Sequence, residues 1–417
     1  METLGLDRVG QSLHALSGNR VVGLLSRSPA FAGLVAARGV SLVGDGVGTL
    51  ALIVHVQRVR GSGSAVGLLL LVASLPRLLS PLAGAVADRV DRRTVIVAGE
   101  LAQGLLVGAM ALWLPPLPVL LVLLLGKALV VTIAEPAGQS ALPALVEDAD
   151  LPAANAMIGG LREAGEVLGP LLGGVLVAAA GVRAGLAVDA LTFVISVPLL
   201  ARIPALPPQH RHDDEPGKSL AADAWAGLRH VARDPVTRAV TAGFFFVGLT
   251  AADDVALPFL APVLGAGERG IGVLYAGVGA GLVVGYLIRP LRRSIQPRAG
   301  FLMGMGIAAL GNLLTAGAPF LAAAVAFQIT RGVGVAILDV HLQTLIQRSV
   351  PRRLLGRVFA NVYGAVNIAA AGALLLGGPL LDATSARTVL VTVGLVGLAG
   401  TALSALLLAR ARSMSPS

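Results

Sequence analysis

Twelve stretches of about 20 mostly apolar residues, each long enough to cross a bilayer as a helix, run along this chain. They lie near 30–54, 64–86, 94–114, 117–135, 154–179, 184–203, 238–262, 270–289, 299–317, 320–345, 357–380 and 387–409, and are numbered here as spans 1 to 12. Short polar turns separate them, except between spans 6 and 7, where residues 204–237 are polar throughout. That segment opens as P-A-L-P-P-Q-H-R-H-D-D-E-P-G-K, a tether. It continues with Leu220, Ala224, Leu228 and Val231 at helical spacing behind Ser219 as a cap, which predicts an amphipathic helix lying on a membrane surface. The pattern therefore predicts an all-α membrane protein of twelve transmembrane helices in two six-helix bundles. The expected divisions are 1–203, a cytoplasmic linker 204–237, and 238–417.

Composition agrees. The 417 residues are 55% hydrophobic and only 13% charged, with 53 glycines that suit close helix contact in lipid. Cysteine is absent, which excludes disulfides and thiolate metal sites. The net charge of +9 raises the question of nucleic acid, but position answers it, because the basic residues gather in alternate short loops. With the N-terminus inside, the inner segments carry 22 Lys and Arg and the outer loops only Arg58, Arg60, Arg183, Arg269 and Arg387. Both termini are thus expected in the cytoplasm, with the chain multi-pass in the cell membrane and no nucleic-acid partner. Residues 1–29 contain no apolar core of a cleavable signal, so span 1 is expected to direct insertion.

Two motifs stand out. Residues 84–93, G-A-V-A-D-R-V-D-R-R, form a tight basic turn between spans 2 and 3, and 165–174, G-E-V-L-G-P-L-L-G-G, lie in span 5. Glycines 165, 169, 173 and 174 strip one helix face, and Pro170 removes a backbone bond, so a neighbouring helix can approach closely. Three further stretches are distinctive: S-L-V-G-D-G in span 1, P-A-G-Q-S-A-L-P-A-L-V-E-D-A-D-L-P-A-A-N-A after span 4, and L-I-Q-R-S-V-P-R-R-L-L-G-R-V-F before span 11. Together these resemble the major facilitator superfamily, and within it the macrolide- and siderophore-exporter-like branch of drug:proton antiporters. The first loop departs in having Asp91 where a glycine is usual. The matching second-half loop, R-P-L-R-R-S-I-Q-P-R, lacks the acid.

The resemblance implies a cytoplasmic gate built from Gly84, Asp88, Arg89, Arg92 and Arg93, with Asp88 against the start of span 11 near Gly356 and Arg357. It also implies that the span 5 motif of Gly165, Gly169, Pro170, Gly173 and Gly174 is tied to export.

Charges within the spans are functional suspects because they are costly in hydrocarbon. The acids are Asp45, Glu163, Glu166, Asp189, Asp253, Asp254 and Asp339; the bases are Arg38, Arg77, Lys127, Arg162 and Arg331. Asp45, Glu163, Glu166, Asp254 and Asp339 are the candidates for proton coupling, since a carboxyl in apolar surroundings can load and release a proton near neutral pH. Asp45 leads, set against neutralisation by Arg77 or Lys127. Arg162 and Glu166, four apart, are expected to pair within their helix, and Asp339 with Arg331 to form a second network. His341 is expected to pack or hydrogen-bond.

No H-E-x-x-H, Walker sequence or nucleophile elbow occurs. The expectation is a monomeric secondary transporter, neither enzyme nor cofactor-dependent, with protons, lipid and an amphipathic small molecule as partners. That molecule would be an antibiotic, a siderophore or another metabolite, exported by proton antiport with alternating access. The alternatives are an importer or a carrier of lipid-like cargo on the same fold, then a non-transporting membrane receptor or a membrane enzyme.

Overall fold

In a computed structural model of the chain, residues 18–79, 90–207, 220–288, 295–351 and 354–413 are described. Among them every regular element is helical. Ten helices are long and apolar enough to cross a membrane. One of these, Asp148–Leu200, is two spans joined at Gly181, whose φ of 85° and ψ of 172° lie where only glycine sits without strain. The shorter apolar helix Gly63–Leu78 supplies span 2. With these two the described residues carry all twelve predicted spans, the end of span 2 excepted.

Several helices outrun their apolar stretches. Span 1 is Pro29–Arg60, span 10 Leu321–Ser349 and span 11 Leu355–Ala383. Span 4 is predicted to end at Glu135, ahead of a proline, yet its helix runs Leu117–Leu145 through Pro136 and Pro143. Pro136 is half-buried, where neighbouring helices help to satisfy the freed backbone group, and Pro143 is exposed in the last turn of the helix. Span 5 likewise continues through Pro170. The linker forms the expected helix, Leu220–Arg233. Its Gly227 lies against the start of span 11, where a Cβ would come 2.8 Å from the Arg357 carbonyl oxygen. The tether, 208–219, is outside the described residues.

The chain packs as two compact units, 1–52 with 75–210, and 53–74 with 211–417. The core of the first includes Phe31, Leu34, Ile96, Ala137, Ala141 and Leu200. That of the second includes Phe244, Phe301, Leu338, Leu342, Val358 and Leu408. Large apolar residues such as Leu105, Leu112, Leu287 and Leu376 point outward, as a chain solvated by lipid requires.

Within the second unit, span 2 begins on span 11. Asp382 accepts hydrogen bonds from the Ser62 hydroxyl at 2.9 Å, the Gly63 and Ser64 amides at 2.5 and 3.0 Å, and the Ser64 hydroxyl at 2.5 Å. The helix's first free N–H groups are thereby satisfied. Gly378 makes the approach possible: a Cβ there would sit 2.5 Å from the Ser64 Cα.

Asp91, the departure from the usual glycine, has a structural use. It caps span 3 (Arg92–Trp113), accepting from the Thr94 amide at 2.9 Å and hydroxyl at 3.1 Å, and its other oxygen takes the Leu206 amide at 2.7 Å. One side chain thus ties the start of span 3 to the chain leaving span 6. Asp234 caps span 7 through Thr237 in the same way. Partial burial pushes the Asp91 carboxyl up, but the bonds from Thr94 and Leu206 and the Arg93 charge outweigh it and hold the group below the usual carboxylate range. A lowered folded pKa means that the contribution is complete above the unfolded value and lost only as pH falls through the folded one. Asp91→Ala is therefore expected to destabilise the first unit by about 1 kcal/mol at neutral pH, and by progressively less below the unfolded carboxylate pKa. Thermal unfolding of purified protein across acidic pH measures it; a deficit that persists undiminished in strong acid would refute it.

Candidate functional site

The first unit holds a buried charge cluster built by spans 1, 3, 4 and 6. Lys127 of span 4 reaches Asp45 at 2.7 Å and Asp189 at 3.2 Å, and its ammonium lies 5.3 Å from the centre of the Phe193 ring, within cation–π range. The Asp189 side chain is 1% exposed, whereas that of Asp45 is 34% exposed. One cation thus serves one sealed and one accessible carboxylate. Of the two neutralising partners considered for Asp45, Lys127 is the one that bonds to it.

The glycines around Asp45 make the cluster possible. In G-D-G-V-G (44–48), a Cβ on Gly48 would lie 2.0 Å from an Asp189 carboxylate oxygen, and one on Gly44 would strike Thr192 at 2.1 Å. Span 6 therefore seats directly on span 1. On the other side, Gly46 meets the span 5 motif: a Cβ on Gly169 would fall 2.6 Å from the Gly46 Cα. Gly165 faces Leu42 and Gly173 faces Val47 and Leu50 in the same row. The motif's bare face is thus packed on the helix that carries Asp45.

Glu100 of span 3, which the sequence does not mark out, is 3% exposed and bonded to Ser41 at 2.8 Å. Arg38 and Asp45 are within electrostatic range of it. Arg38 also packs against Gly138 of span 4. Arg162 pairs with Glu135 of span 4 rather than making the expected bond to Glu166. Glu166 keeps Arg162 and Arg77 within electrostatic range. Glu163 lies in the span 5 helix, and its side chain is outside the described structure.

The second unit has its own network. Asp253 of span 7 is fully buried and accepts from Arg331 of span 10 at 2.5 Å and Asn312 of span 9 at 3.1 Å. The expected Arg331–Asp339 pairing does not form. Eight residues along a helix is about 12 Å of rise, and Arg331 finds Asp253 across the helix interface instead. Asp339 accepts from the Tyr286 hydroxyl at 3.2 Å and Gln343 at 2.9 Å, and Tyr363 bonds to it as well. Of the adjacent acids, Asp253 is the sealed one. Asp254 is half-buried, and its carbonyl takes the Tyr275 hydroxyl at 2.6 Å. His341 is buried, with Nδ1 2.7 Å from the Ile337 carbonyl. A carbonyl only accepts, so Nδ1 carries the proton.

Of the predicted gate, Gly84, Asp88 and Arg89 lie outside the described residues. Arg92 is buried. Arg93 donates to the Ala201 carbonyl at 2.8 Å, and the Arg357 carbonyl accepts from Asn361 at 2.9 Å.

A family model described as Major Facilitator Superfamily matches residues 34–360. The chain is 32% identical over 393 residues to the Enterobactin exporter EntS of Citrobacter koseri, covering 89% of this chain and 92% of that one. It is 30% identical over 393 residues, with the same coverage, to EntS of Shigella boydii. Among solved structures, a mutant of the nucleoside transporter NupG superposes with a TM-score of 0.73 at 12% identity, over 91% of this chain and 99% of that one. A bacterial homologue of the human lysosomal transporter Spinster, inward-facing and unoccupied, gives 0.72 at 16% identity, over 93% and 99%. At such identities the structural likenesses speak for the fold alone.

Proposed function

The chain belongs to the Major Facilitator Superfamily, a multi-pass membrane transporter and not an enzyme, and from that premise we propose that it exports an amphipathic siderophore-like metabolite by proton antiport with alternating access. Export is supported above all by the likeness to the enterobactin exporters, which runs over 89% of the chain. Coupling to protons is supported by Lys127, shared between Asp45 and Asp189. A proton arriving at Asp45 removes one of the two claims on the ammonium and favours whichever conformation bonds Lys127 to Asp189 alone. A ligand shifts such an equilibrium only through its different affinities for the two states. The cell membrane, with both termini cytoplasmic, is the proposed setting, and a monomer the working unit.

Nothing in the two units favours import, lipid-like cargo or a non-transporting receptor over this reading. Proteoliposomes containing purified protein test it, with enterobactin and a macrolide as trial cargoes and with or without an imposed pH gradient. The expected result is accumulation of the siderophore driven by the gradient in wild type. Asp45→Asn is expected to move cargo only down its own gradient. Uphill transport unaffected by collapsing the pH gradient would refute antiport, and transport of neither cargo would refute the substrate class.

A further inference from the structure

Span 1 is a single helix, Pro29–Arg60, yet the compact units divide within it, between Leu52 and Ile53. The helix that carries Asp45 therefore runs on into a segment, 53–74, that belongs by packing to the second unit. Three polar ties hold that segment there, all around the turn between spans 1 and 2. The Gln57 amide donates to the Pro258 carbonyl of span 7 at 2.7 Å. That carbonyl has lost its usual helical donor, since Pro262, four residues on, has no N–H. Arg58 pairs with Glu268 in the first turn of span 8. Asp382 of span 11 accepts from the Gly63 and Ser64 amides and the Ser62 and Ser64 hydroxyls. In the proposed orientation all three lie at the outer face.

The Asp382 tie is built to come undone. It is a helix cap supplied by another helix, and span 2 has a second cap of its own. The Ser62 oxygen lies 3.4 Å from the Ala65 amide, the position that an N-cap serine serves. That distance is longer than an ordinary hydrogen bond, and the Ser62 hydroxyl meanwhile donates to Asp382. Once Asp382 departs, Ser62 is free to close on Ala65, and the Gly63 and Ser64 amides meet water at the rim, where Asp382 itself is exposed. Beneath the cap the two helices meet at glycines. A Cβ on Gly67 would lie 2.5 Å from the Leu374 carbonyl oxygen, and one on Gly378 2.5 Å from the Ser64 Cα. Surfaces joined through glycines part without drawing interlocked side chains from one another. We infer that Asp382 is a releasable outer latch: it holds the outer ends of spans 1 and 2 against spans 7, 8 and 11 in the conformation described, and its release opens the outer side during transport. The latch rests on the alternating-access reading above.

Of the three ties, Asp382 holds most. The Arg58 side chain is 51% exposed, and exposed ion pairs contribute little. Gln57 makes one neutral bond, whereas Asp382 makes four to a carboxylate, which are stronger. Span 1 joins this latch to the charge cluster. Asp45 and Gln57 are 12 residues apart on one helix, about 18 Å of rise, so a displacement of span 1 at Asp45 is delivered to the turn that Asp382 holds.

The chain has no cysteine, so introduced thiols report without background. Leu381, 5% exposed, packs on Gly63 inside the contact. Reaction of Leu381→Cys with a water-soluble maleimide, on purified protein and without cargo, reads how often the contact opens. Adding Asp382→Ala is expected to speed it at least about fivefold, the shift that follows from losing one helix cap, and Asp382→Glu to restore part of the protection. A control thiol at Leu408, buried elsewhere in the second unit, is expected to react no faster. Should Leu381→Cys fail to fold, Leu374→Cys on the same face of span 11 takes its place. Equal rates with and without Asp382, or equal acceleration at Leu408, would overturn the latch. Release during transport is tested by closing it covalently. A Cβ on Gly63 would lie 2.8 Å from the Leu381 Cβ, so a small outward shift gives the roughly 3.5–4.5 Å that a disulfide needs. Oxidised Gly63→Cys, Leu381→Cys protein is expected to lose export at least about tenfold and to regain it on reduction; undiminished export while oxidised would make the contact a permanent brace and overturn the proposal. If wild type moves neither trial cargo, the transport reading falls and the maleimide rates still decide the latch.

Discussion

Lys127→Met is expected to abolish gradient-driven export and to destabilise the first unit by about 3–5 kcal/mol, the usual consequence of removing one partner from a buried ion pair. The substitution keeps the length and apolar stem of the side chain, so packing against Phe193 survives and the loss is electrostatic. Asp189, whose side chain is 1% exposed, is left with no ammonium, and Asp45 with no bond to it. The damage should be relieved in the triple variant Asp45→Asn, Lys127→Met, Asp189→Asn, which removes all three charges together. Thermal unfolding in detergent and uphill export in proteoliposomes measure the two effects separately. The expected pattern is a recovered melting temperature in the triple variant with export still absent. A single variant that melts like wild type would show that Lys127 does not neutralise the cluster.

Arg331→Met is expected to cost the second unit a similar ~3–5 kcal/mol, because it strands the fully buried Asp253 with Asn312 as its partner. The double variant Asp253→Asn, Arg331→Met is expected to regain most of the stability, since Asn312 can bond to an amide as it does to a carboxylate. Comparing the singles and the double as a thermodynamic cycle gives the coupling between the two positions directly. A double variant as unstable as Arg331→Met alone would place the loss in the missing arginine stem rather than in the stranded charge.

Span placement was legible because apolar length is imposed by the bilayer and needs no knowledge of neighbours. Helix ends were less so. The helix of span 4 passes Glu135, Pro136 and Pro143 before stopping, since a helix may leave the apolar zone without ending; Pro136 is half-buried, and Pro143 is exposed in the last turn. The charged residues within the spans could be picked out singly, and Asp45, Lys127, Asp253 and Arg331 all fall in networks. Their pairings could not, because partners are set across helix interfaces. Arg162 reaches Glu135 and not the acid one turn away, and Arg331 reaches Asp253 and not Asp339.

Glu100 went unnoticed because it sits one or two turns into a span that begins with polar residues, where a glutamate reads as interfacial. Asp382 likewise looks like the polar end of span 11. The one available signal for the first cluster was the alternation G-D-G-V-G. Glycine on both sides of an acid, and again two residues on, leaves no side chain to hold neighbouring helices away from it.

The Asp45–Lys127–Asp189 cluster has an electrical consequence. Two carboxylates on one ammonium leave one net negative charge inside the low-dielectric layer across which the membrane voltage drops. Carrying an elementary charge through that whole layer takes about 2.3 kcal/mol at 100 mV, and a partial displacement takes the corresponding fraction. A rearrangement that carries the unprotonated cluster towards the electrically negative side therefore does work against the resting potential, one that carries it the other way is driven by that potential, and the same movement with one proton aboard is indifferent to it.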